Sequence, residues 1–218
     1  MAYARYFTEE GAEEYAGKYR KGWLRRLSAR REASCVKRAL AAAGAGGAIL
    51  DLPCGAGRFT ETLARTGQPY VAADLSMPMV RAGRAAAGTP VAALRADARR
   101  IGLKDRSVDG AVSIRLLHHF PDAGERRRIL AELARVSRRF LVVTFLDRDS
   151  WKQRAHRRNP ARPPRRAAIG REELREDAER LGFRVAGFFA VSSLFSGQTA
   201  AALVREGAGK SQSPNPKS

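Results

Sequence analysis

Cysteine, acidic residues and long apolar runs are all scarce in this sequence, and these shortages exclude whole classes of protein. Only Cys35 and Cys54 occur among 218 residues, and their contexts show neither a disulfide framework nor a metal-ligand spacing. We therefore expect two unpaired thiols and no metal site. No apolar run approaches the ~20 residues of a membrane-spanning helix. The N-terminus has no apolar stretch of the secretory type, so a cytoplasmic location is the default expectation.

The shortage of acids leaves a large positive charge. Lys and Arg number 41 against 22 Asp and Glu, which gives a net charge of +19 at pH 7. Such a balance favours contact with phosphates, RNA or an anionic membrane surface, including a peripheral position at the inner face of the membrane. Arg and Ala are both abundant, as they would be if genomic base composition had pushed Lys towards Arg. The charge alone therefore gives weak support for an anionic partner, and the oligomeric state is not indicated.

The hydrophobic pattern indicates an α/β fold. Residues 1–46 have helical periodicity, and a glycine-rich stretch at 44–47 ends that region. Within it, residues 9–31 read as one helix, which continues as 33–43. Beyond it, short apolar strands alternate with helices, which argues for a mostly parallel sheet with helices on both faces. The predicted strands are 48–52, 69–74, 91–95, 108–114, 140–146, 183–193 and 199–205, and the predicted helices are 59–65, 77–87, 123–137 and 171–181.

Two segments depart from this alternation. Residues 148–166 are strongly basic, and their three prolines exclude a continuous helix, so we expect a loop there. Residues 207–218 form a polar tail that we expect to be disordered.

A glycine pair follows the first predicted strand. Gly55 and Gly57 let the backbone approach a ligand closely, at the sheet edge where doubly wound folds bind ligands. A dinucleotide loop needs a third glycine where Thr60 stands, and Asp51, just before the loop, would repel a pyrophosphate. The methionine end of S-adenosylmethionine carries an ammonium group beside a sulfonium, so an acid at this position suits that cofactor.

Two more acids end the following strands. Asp74 comes about 20 residues after the loop, where a carboxylate bonds both hydroxyls of a ribose. Asp97 follows the third strand and could accept from an adenine amino group, with Ala98 or Leu75 packed on the ring. A single acid at a strand end is as often a helix cap or turn residue. The order and spacing of the three acids together favour a cofactor site.

Four stretches resemble the class I S-adenosylmethionine-dependent methyltransferases, in particular the small-molecule and lipid-type group that includes the ubiquinone/menaquinone methyltransferases. These stretches are residues 51–57, 74–79, 96–98 and 108–120. The resemblance implies a Rossmann-like, seven-stranded sheet whose last strand is antiparallel, with S-adenosylmethionine as cofactor. The family usually reads D-x-G-x-G-x-G, and Pro53 occupies the first glycine position, where a turn of φ about −65° accommodates it. The expected cofactor contacts are Asp51, Pro53, Gly55, Gly57, Asp74, Leu75, Met79, Asp97, Ala98 and Arg115.

The candidates for contact with an acceptor follow the fourth predicted strand. Arg115 could hold a carboxylate or phosphate, and His118 or His119 could take a proton from a hydroxyl. For the two histidines, capping or packing at the start of the next helix is the interpretation that we favour. The cofactor carries an activated methyl group, so positioning matters more than a fixed catalytic triad.

Two further features leave alternatives open. Tyr15, Tyr19 and Trp23 lie on one helix face, either as a lid over the methionine end or as a packed face. The basic segment 148–166, with Trp151 and His156, is either a cover that grips an anionic substrate or a solvated loop. We divide the chain into a helical lid or cap region (1–46), an S-adenosylmethionine-binding domain (47–206) and the tail (207–218).

Three functions compete at this point. We expect an O- or C-directed methyltransferase for a small-molecule or lipid-linked, anionic acceptor. Residues 113–116 lack the [ND]-P-P-[FY] motif frequent in amino-adenine and amide N-methyltransferases, and neither cysteine is placed as a cytosine-C5 nucleophile. An RNA methyltransferase that uses the basic surface is the second hypothesis. A non-catalytic module that binds RNA or a membrane is the third, and the intact glycines and acids argue against it.

Overall fold

The computed structural model describes residues 7–18, 23–86, 90–157, 167–192 and 196–207. Within these ranges, one β-sheet lies between two layers of helices, as the sequence pattern predicts. Tyr19, residues 158–166 of the basic segment and residues 208–218 of the tail lie outside the described residues. No helix in the described ranges combines the length and the apolar character that a membrane crossing requires.

The order of the strands confirms the predicted fold class. The sheet runs β3-β2-β1-β4-β5-β8-β7, and the two-residue β6 pairs with the end of β5. The last strand, β8, is antiparallel to both β5 and β7, and the other pairs are parallel. The seven strands along the main path match the expected number. The strands are β1 (Ile49–Asp51), β2 (Tyr70–Asp74), β3 (Ala92–Arg95), β4 (Val108–Ser113), β5 (Ser137–Asp147), β6 (Ala168–Ile169), β7 (Phe183–Ala190) and β8 (Gln198–Arg205).

Helices cover both faces of the sheet, so the central strands read as continuous apolar runs. Successive side chains of a strand point to opposite faces: Ile49 packs in a core with α2 and α3, and Leu50 packs in a core with α5 and α7. The helices are α1 (Glu9–Lys18), α2 (Trp23–Ala42), α3 (Thr60–Ala64), α4 (Met77–Ala86), α5 (Ala123–Val136), α6 (Trp151–Arg157) and α7 (Arg171–Glu179).

The structure confirms helix in the described parts of 9–31 and 33–43, as α1 and α2, and residues 19–22 lie outside the described residues. It corrects one element prediction. The basic segment is not all loop, because α6 occupies residues 151–157. The described helix lies before Pro160, so the prolines further along the chain do not prevent it. The division of the chain into lid, domain and tail stays a prediction.

The strand order determines where a ligand fits. The chain moves from β1 outward to β2 and β3 on one side, and from β4 to β5 on the other. The order therefore reverses between β1 and β4, and ligands of such sheets bind beyond the carboxyl ends of the strands at this point. The loops after β1, β2, β3 and β4 carry the predicted site residues, and all four loops lie at this edge.

Candidate cofactor and acceptor site

The loop after β1 turns on two left-handed glycines. Gly55 and Gly57 have φ of +53° and +76°, a region that favours glycine. The Leu52–Pro53 peptide bond is cis, and Pro53 stands at the first glycine position of the family pattern. A Cβ on Gly57 would lie 2.7 Å from the carbonyl oxygen of Gly83 in α4. Gly57 thus allows both the turn and the close approach of α4.

Asp51 is a buried acid at the end of β1. Its Oδ2 has no hydrogen-bond partner among the described residues. Burial raises the pKa of Asp51 well above its usual range, and the charge of Asp74 raises it further. A buried oxygen without a partner is costly, so this atom suits a ligand group that donates a hydrogen bond or carries a positive charge.

Asp74 ends β2 and holds the glycine loop. Its Oδ2 accepts from the backbone N of Gly55 at 2.9 Å, and its Oδ1 accepts from the backbone N of Ser76 at 2.9 Å. Burial outweighs these bonds and raises the pKa of Asp74. Each carboxylate oxygen has a second acceptor position, so Asp74 can fix the loop and still accept from a ribose.

Arg99 turns back onto Asp97 after β3. The carboxylate accepts from the backbone N of Arg99 at 2.9 Å and from its guanidinium at 2.8 Å, and that guanidinium holds the pKa of Asp97 below its usual range. An adenine amino group would share this carboxylate with Arg99. Of the two residues predicted to pack on the ring, Ala98 is buried, whereas Leu75 is 38% exposed.

The first helix lies over the cofactor loop. Ala12 of α1 packs with Ala56 of the loop and Met79 of α4, and all three are buried. Met79 therefore supports the loop from the side of α4. This small cluster fixes α1 against the edge of the sheet where the predicted cofactor contacts lie.

Two of the aromatic residues predicted to share one helix face lie in different environments, Tyr15 at the glycine loop and Trp23 in solvent. Tyr15 of α1 lies 3.9 Å from the position that a Cβ on Gly55 would take. Trp23, at the start of α2, is 72% exposed, and Tyr19 lies outside the described residues. Tyr15 thus has the position of a lid residue, whereas Trp23 faces water.

Arg115, a predicted site residue, follows β4 in a left-handed conformation. Its φ is +62°, and its backbone N donates to Oγ1 of Thr144 at 2.7 Å. A non-glycine residue with positive φ is uncommon and is often held in place for function. Its guanidinium lies 3.6 Å from Oε2 of Glu32, and the side chain is 27% exposed.

Glu32 and Arg58 complete a buried ion cluster that the sequence interpretation missed. Oε2 of Glu32 pairs with Arg58, which follows the glycine loop, and lies near Arg115. Oε1 of Glu32 has no hydrogen-bond partner within the part of the chain that the structure describes. The available signal was that α2 contains one acid among six Lys and Arg. The cluster joins α2, the cofactor loop and the end of β4.

The two histidines occupy different environments. His118 is buried, and its Nδ1 lies 3.4 Å from Nε2 of the buried Gln198. Its carbonyl accepts from the backbone N of Ala167 at 3.0 Å, next to β6. His119 is half-buried, and the two rings lie 4.2 Å apart. His118 thus forms part of the wall of the site, and His119 is the more accessible of the two.

Ion pairs and a hydrogen bond anchor the start of the basic segment to α7 and β8. Arg148 pairs with Glu173 at 3.0 Å. The buried Asp147 before it accepts from Arg171 at 2.8 Å and from Oγ1 of Thr199 at 3.0 Å. Trp151 is 64% exposed at the start of α6, and the side chain of His156 lies outside the described residues.

Comparison with known proteins agrees with this geometry. Residues 49–139 match the model of a family described as a methyltransferase domain. No curated protein matches the chain. The matched residues begin at β1 and continue to the start of β5, so they include all four loops at the site.

Three solved structures show the same fold. Magnesium protoporphyrin IX methyltransferase from Synechocystis PCC 6803, with bound S-adenosylhomocysteine, is 21% identical with a TM-score of 0.73, over 92% of this chain and 96% of that chain. A possible histamine N-methyltransferase from Thermotoga maritima is 20% identical with a TM-score of 0.64, over 91% and 97%. The 1,6-didemethyltoxoflavin-N1-methyltransferase of Burkholderia thailandensis is 18% identical with a TM-score of 0.63, over 89% and 86%.

The residues at the edge of the sheet fit S-adenosylmethionine. Asp51 offers a buried carboxyl oxygen without a partner to a cationic group, and the glycine loop leaves no side chains at Gly55 and Gly57. Asp74 retains acceptor positions for a ribose. The family match covers these same loops, so residues 49–139 form a methyltransferase domain, and the chain has the fold of a solved methyltransferase that holds S-adenosylhomocysteine.

Proposed function

We propose that this methyltransferase acts on a small or lipid-linked acceptor that carries a negative charge, and that it methylates oxygen or carbon. The observation that carries the proposal is the position of Arg115 at the end of β4, partly exposed beside the cofactor edge. A guanidinium matches a carboxylate or phosphate in shape and charge. Similar structures include enzymes named for a porphyrin and for 1,6-didemethyltoxoflavin, which supports a small acceptor.

The charge of the buried cluster favours an anion. Glu32 has one negative charge and lies beside two guanidinium groups, those of Arg58 and Arg115. One carboxylate does not neutralise both cations. Because Arg58 is the more buried, Arg115 is the group that presents positive charge towards solvent. An anionic acceptor would complete the local balance of charge.

The cofactor, when bound, supplies an activated methyl group, and the residues of the chain hold the acceptor in line and exclude water. Arg115 has the role of anchor, because its backbone is fixed by Thr144. Tyr15 and α1 have the role of cover over the loop. Where the acceptor is a hydroxyl, His119 is the better placed histidine to take its proton, since His118 is buried.

The proposal can be tested with matched pairs of acceptors, namely aromatic or polyprenyl carboxylic acids and their amides. We expect methylation of the acids and at least a roughly tenfold lower kcat/KM for the amides, the effect of losing one charge-assisted contact of about 1.4 kcal/mol. Arg115→Gln should raise KM for the acid by about tenfold and change the Kd of S-adenosylmethionine less than about threefold.

Asp74→Ala is the control for loss of the cofactor. If acid and amide are used equally, the acceptor is not recognised by its charge. If Arg115→Gln weakens S-adenosylmethionine binding as much as Asp74→Ala does, Arg115 holds the carboxylate of the cofactor, and the anchor of the acceptor lies elsewhere.

A second candidate acceptor is RNA, favoured by the net charge of +19. If RNA binds through the outer basic surface, the Arg115→Gln variant should still methylate it, and methylation should fall steeply as the salt concentration rises.

We also propose a cytoplasmic location with peripheral contact to an anionic membrane. A lipid-linked acceptor would require that contact.

A further inference from the structure

A basic groove lies between α2 and α3, apart from the loops at the cofactor edge. Its volume is about 490 Å³. Among the described residues that line it, three are cations, two are hydroxyl-bearing and none is acidic: Arg30, Ala33, Ser34, Lys37, Thr62 and Arg65. The groove is thus a concave surface with three cationic side chains.

One outward face of α2 supplies most of this groove. Steps of four, three, four and three residues place Trp23, Leu27, Arg30, Ser34 and Lys37 on a single stripe. The opposite face of α2, with Val36 and Ala39, is fully buried against the sheet. The stripe therefore stands on a rigid support, with the aromatic Trp23 at one end and the cations Arg30 and Lys37 towards the other.

We propose that this groove binds the phosphodiester backbone of a single-stranded nucleic acid, and that a base stacks on Trp23 at the start of the stripe. Single-stranded nucleic acids are held by this combination of a positively charged groove and aromatic side chains. This inference concerns the outer surface of α2 and α3, and it does not depend on the acceptor proposed above.

The spacing of the cations favours a ligand with several phosphates. Arg30 and Lys37 are seven residues apart on one helix, a rise of about 10 Å. Arg65, the residue after α3, adds a third cation to the lining. Several phosphates in a chain match this distribution better than one inorganic phosphate does.

The composition of the groove favours contacts to the backbone of the nucleic acid. No aromatic residue lines the cavity between Arg30 and Lys37 in the part that the structure describes. The guanidinium, ammonium and hydroxyl groups present there donate hydrogen bonds to phosphate oxygens. Binding should therefore depend strongly on salt and weakly on sequence.

The concave shape of the groove fits a nucleic-acid strand better than it fits a bilayer. A membrane surface meets convex or flat faces, whereas Lys37 and Arg65 both line a cavity. Trp23 and Leu27 are the apolar residues of the stripe, and Leu27 is 38% exposed. Anionic vesicles are accordingly the competing partner in the test.

The test is fluorescence anisotropy of the full chain with a labelled 12-nucleotide strand, as oligo-U and as oligo-dT, over a series of salt concentrations. The variant replaces Arg30, Lys37 and Arg65 by Gln. Each single-strand phosphate contact adds about 0.7 to the slope of log K against log salt, so the slope should fall by about 2. Affinity at the lowest salt should fall at least about tenfold.

The matched control removes the same charge elsewhere. Arg84, Lys104 and Arg184 are exposed cations on α4, on the loop before β4 and on β7, and their replacement by Gln should change affinity less than about twofold. Trp23→Ala should weaken binding by about fivefold or more with an unchanged salt slope, because stacking is not ionic. Retained S-adenosylmethionine binding shows that each variant is folded.

Several results would overturn the proposal. Equal losses in the groove variant and the control variant would mean that the net charge of the chain binds the strand without a site. Binding to vesicles of anionic lipid, with none to either oligonucleotide, would assign the face to a membrane. Binding of oligo-U, of oligo-dT or of both that is lost in the groove variant supports the proposal. The tighter of the two strands is the better ligand.

Discussion

The cofactor end and the acceptor end of the site differ in charge and in the origin of their residues. At the cofactor end, Asp51, the glycine loop and Asp74 come from 24 consecutive residues, and burial raises the pKa of both acids. At the proposed acceptor end, Glu32 comes from α2 and Arg115 from the end of β4. One end is thus specified by a local motif, and the other by the packing of distant segments.

The two ends also balance their charges differently. Asp51 has a buried oxygen without a partner among the described residues, so a cation on the ligand must relieve it. Glu32 is surrounded by guanidinium groups of the chain itself. The buried acid of the cofactor end therefore depends on the ligand for a counter-charge, whereas at the proposed acceptor end the chain itself supplies the cations beside Glu32. Four substitutions test this contrast, and three of them have a matched control substitution.

Gly57→Ala should have the largest effect and should disrupt the cofactor end. The left-handed φ and the approach to 2.7 Å of Gly83 O add strain and overpacking that together destabilise the fold by about 3–4 kcal/mol. S-adenosylmethionine binding should be lost with it. Urea denaturation measures the stability, and calorimetric titration measures the binding.

Gly44→Ala is the matched control for Gly57→Ala. Gly44 also has a positive φ, +59°, but its Cβ would meet nothing within 4 Å. The substitution should lower the free energy of unfolding only by the conformational strain, about 1–2 kcal/mol. Equal losses at the two glycines would show that contact with α4 does not matter to the loop.

Glu32→Gln removes the shared carboxylate of the acceptor end. Two guanidinium groups then face each other without a counter-charge in a buried place, so we expect a loss of about 2–3 kcal/mol in the free energy of unfolding. Thermal melting at several protein concentrations gives the measurement. If the acceptor end is preassembled by this cluster, KM for the acceptor should also rise.

Glu9→Gln provides the comparison with an exposed ion pair. Glu9 and Arg81 are 2.8 Å apart, but both side chains are more than half exposed. Surface pairs contribute little, so the change should stay below about 0.5 kcal/mol. A loss at Glu9 as large as that at Glu32 would remove the distinction between buried and surface pairs in this protein.

Asp51→Asn should stabilise the free protein and weaken the cofactor. Burial raises the folded pKa of Asp51 above its unfolded value of about 3.9. Such a group contributes stability that is present below the unfolded pKa and is lost as pH rises through the folded pKa. At pH 7 the variant should be more stable by about 1–2 kcal/mol, and the difference should vanish at low pH.

The same substitution has an opposite effect on binding. A cationic ligand group lowers the pKa of Asp51, so binding of S-adenosylmethionine should release a proton in the wild type over the pH range in which Asp51 of the free protein is protonated. Calorimetry in two buffers with different ionisation enthalpies detects that proton, and Asp51→Asn should reduce it and weaken affinity about tenfold. Unchanged affinity in the variant would show that Asp51 does not contact the ligand cation.

The contrast also explains how far the sequence could predict the structure. Glycine spacing and strand-terminal acids are local signals, so Gly55, Gly57 and Asp74 could be located on one loop and one strand end before the structure. Glu32 could not be paired with Arg58 and Arg115, because that contact depends on how α2 packs across the sheet. A short helix such as α6 was hidden because nearby prolines and high charge suggested a loop.

Leu75→Ala should have the smallest effect and tests the boundary of the cofactor end. Leu75 is 38% exposed after β2, and its backbone O accepts from Nε of Arg95 at 3.0 Å, a bond that the substitution keeps. Loss of packing on the adenine ring should weaken S-adenosylmethionine binding about threefold to fivefold, with stability unchanged within about 0.5 kcal/mol. Val91→Ala, an exposed residue before β3 at the opposite edge, should leave affinity unchanged. If Leu75→Ala also leaves it unchanged, the ring packs elsewhere along the edge, and the local motif extends less far than Asp97 and Leu75 suggest.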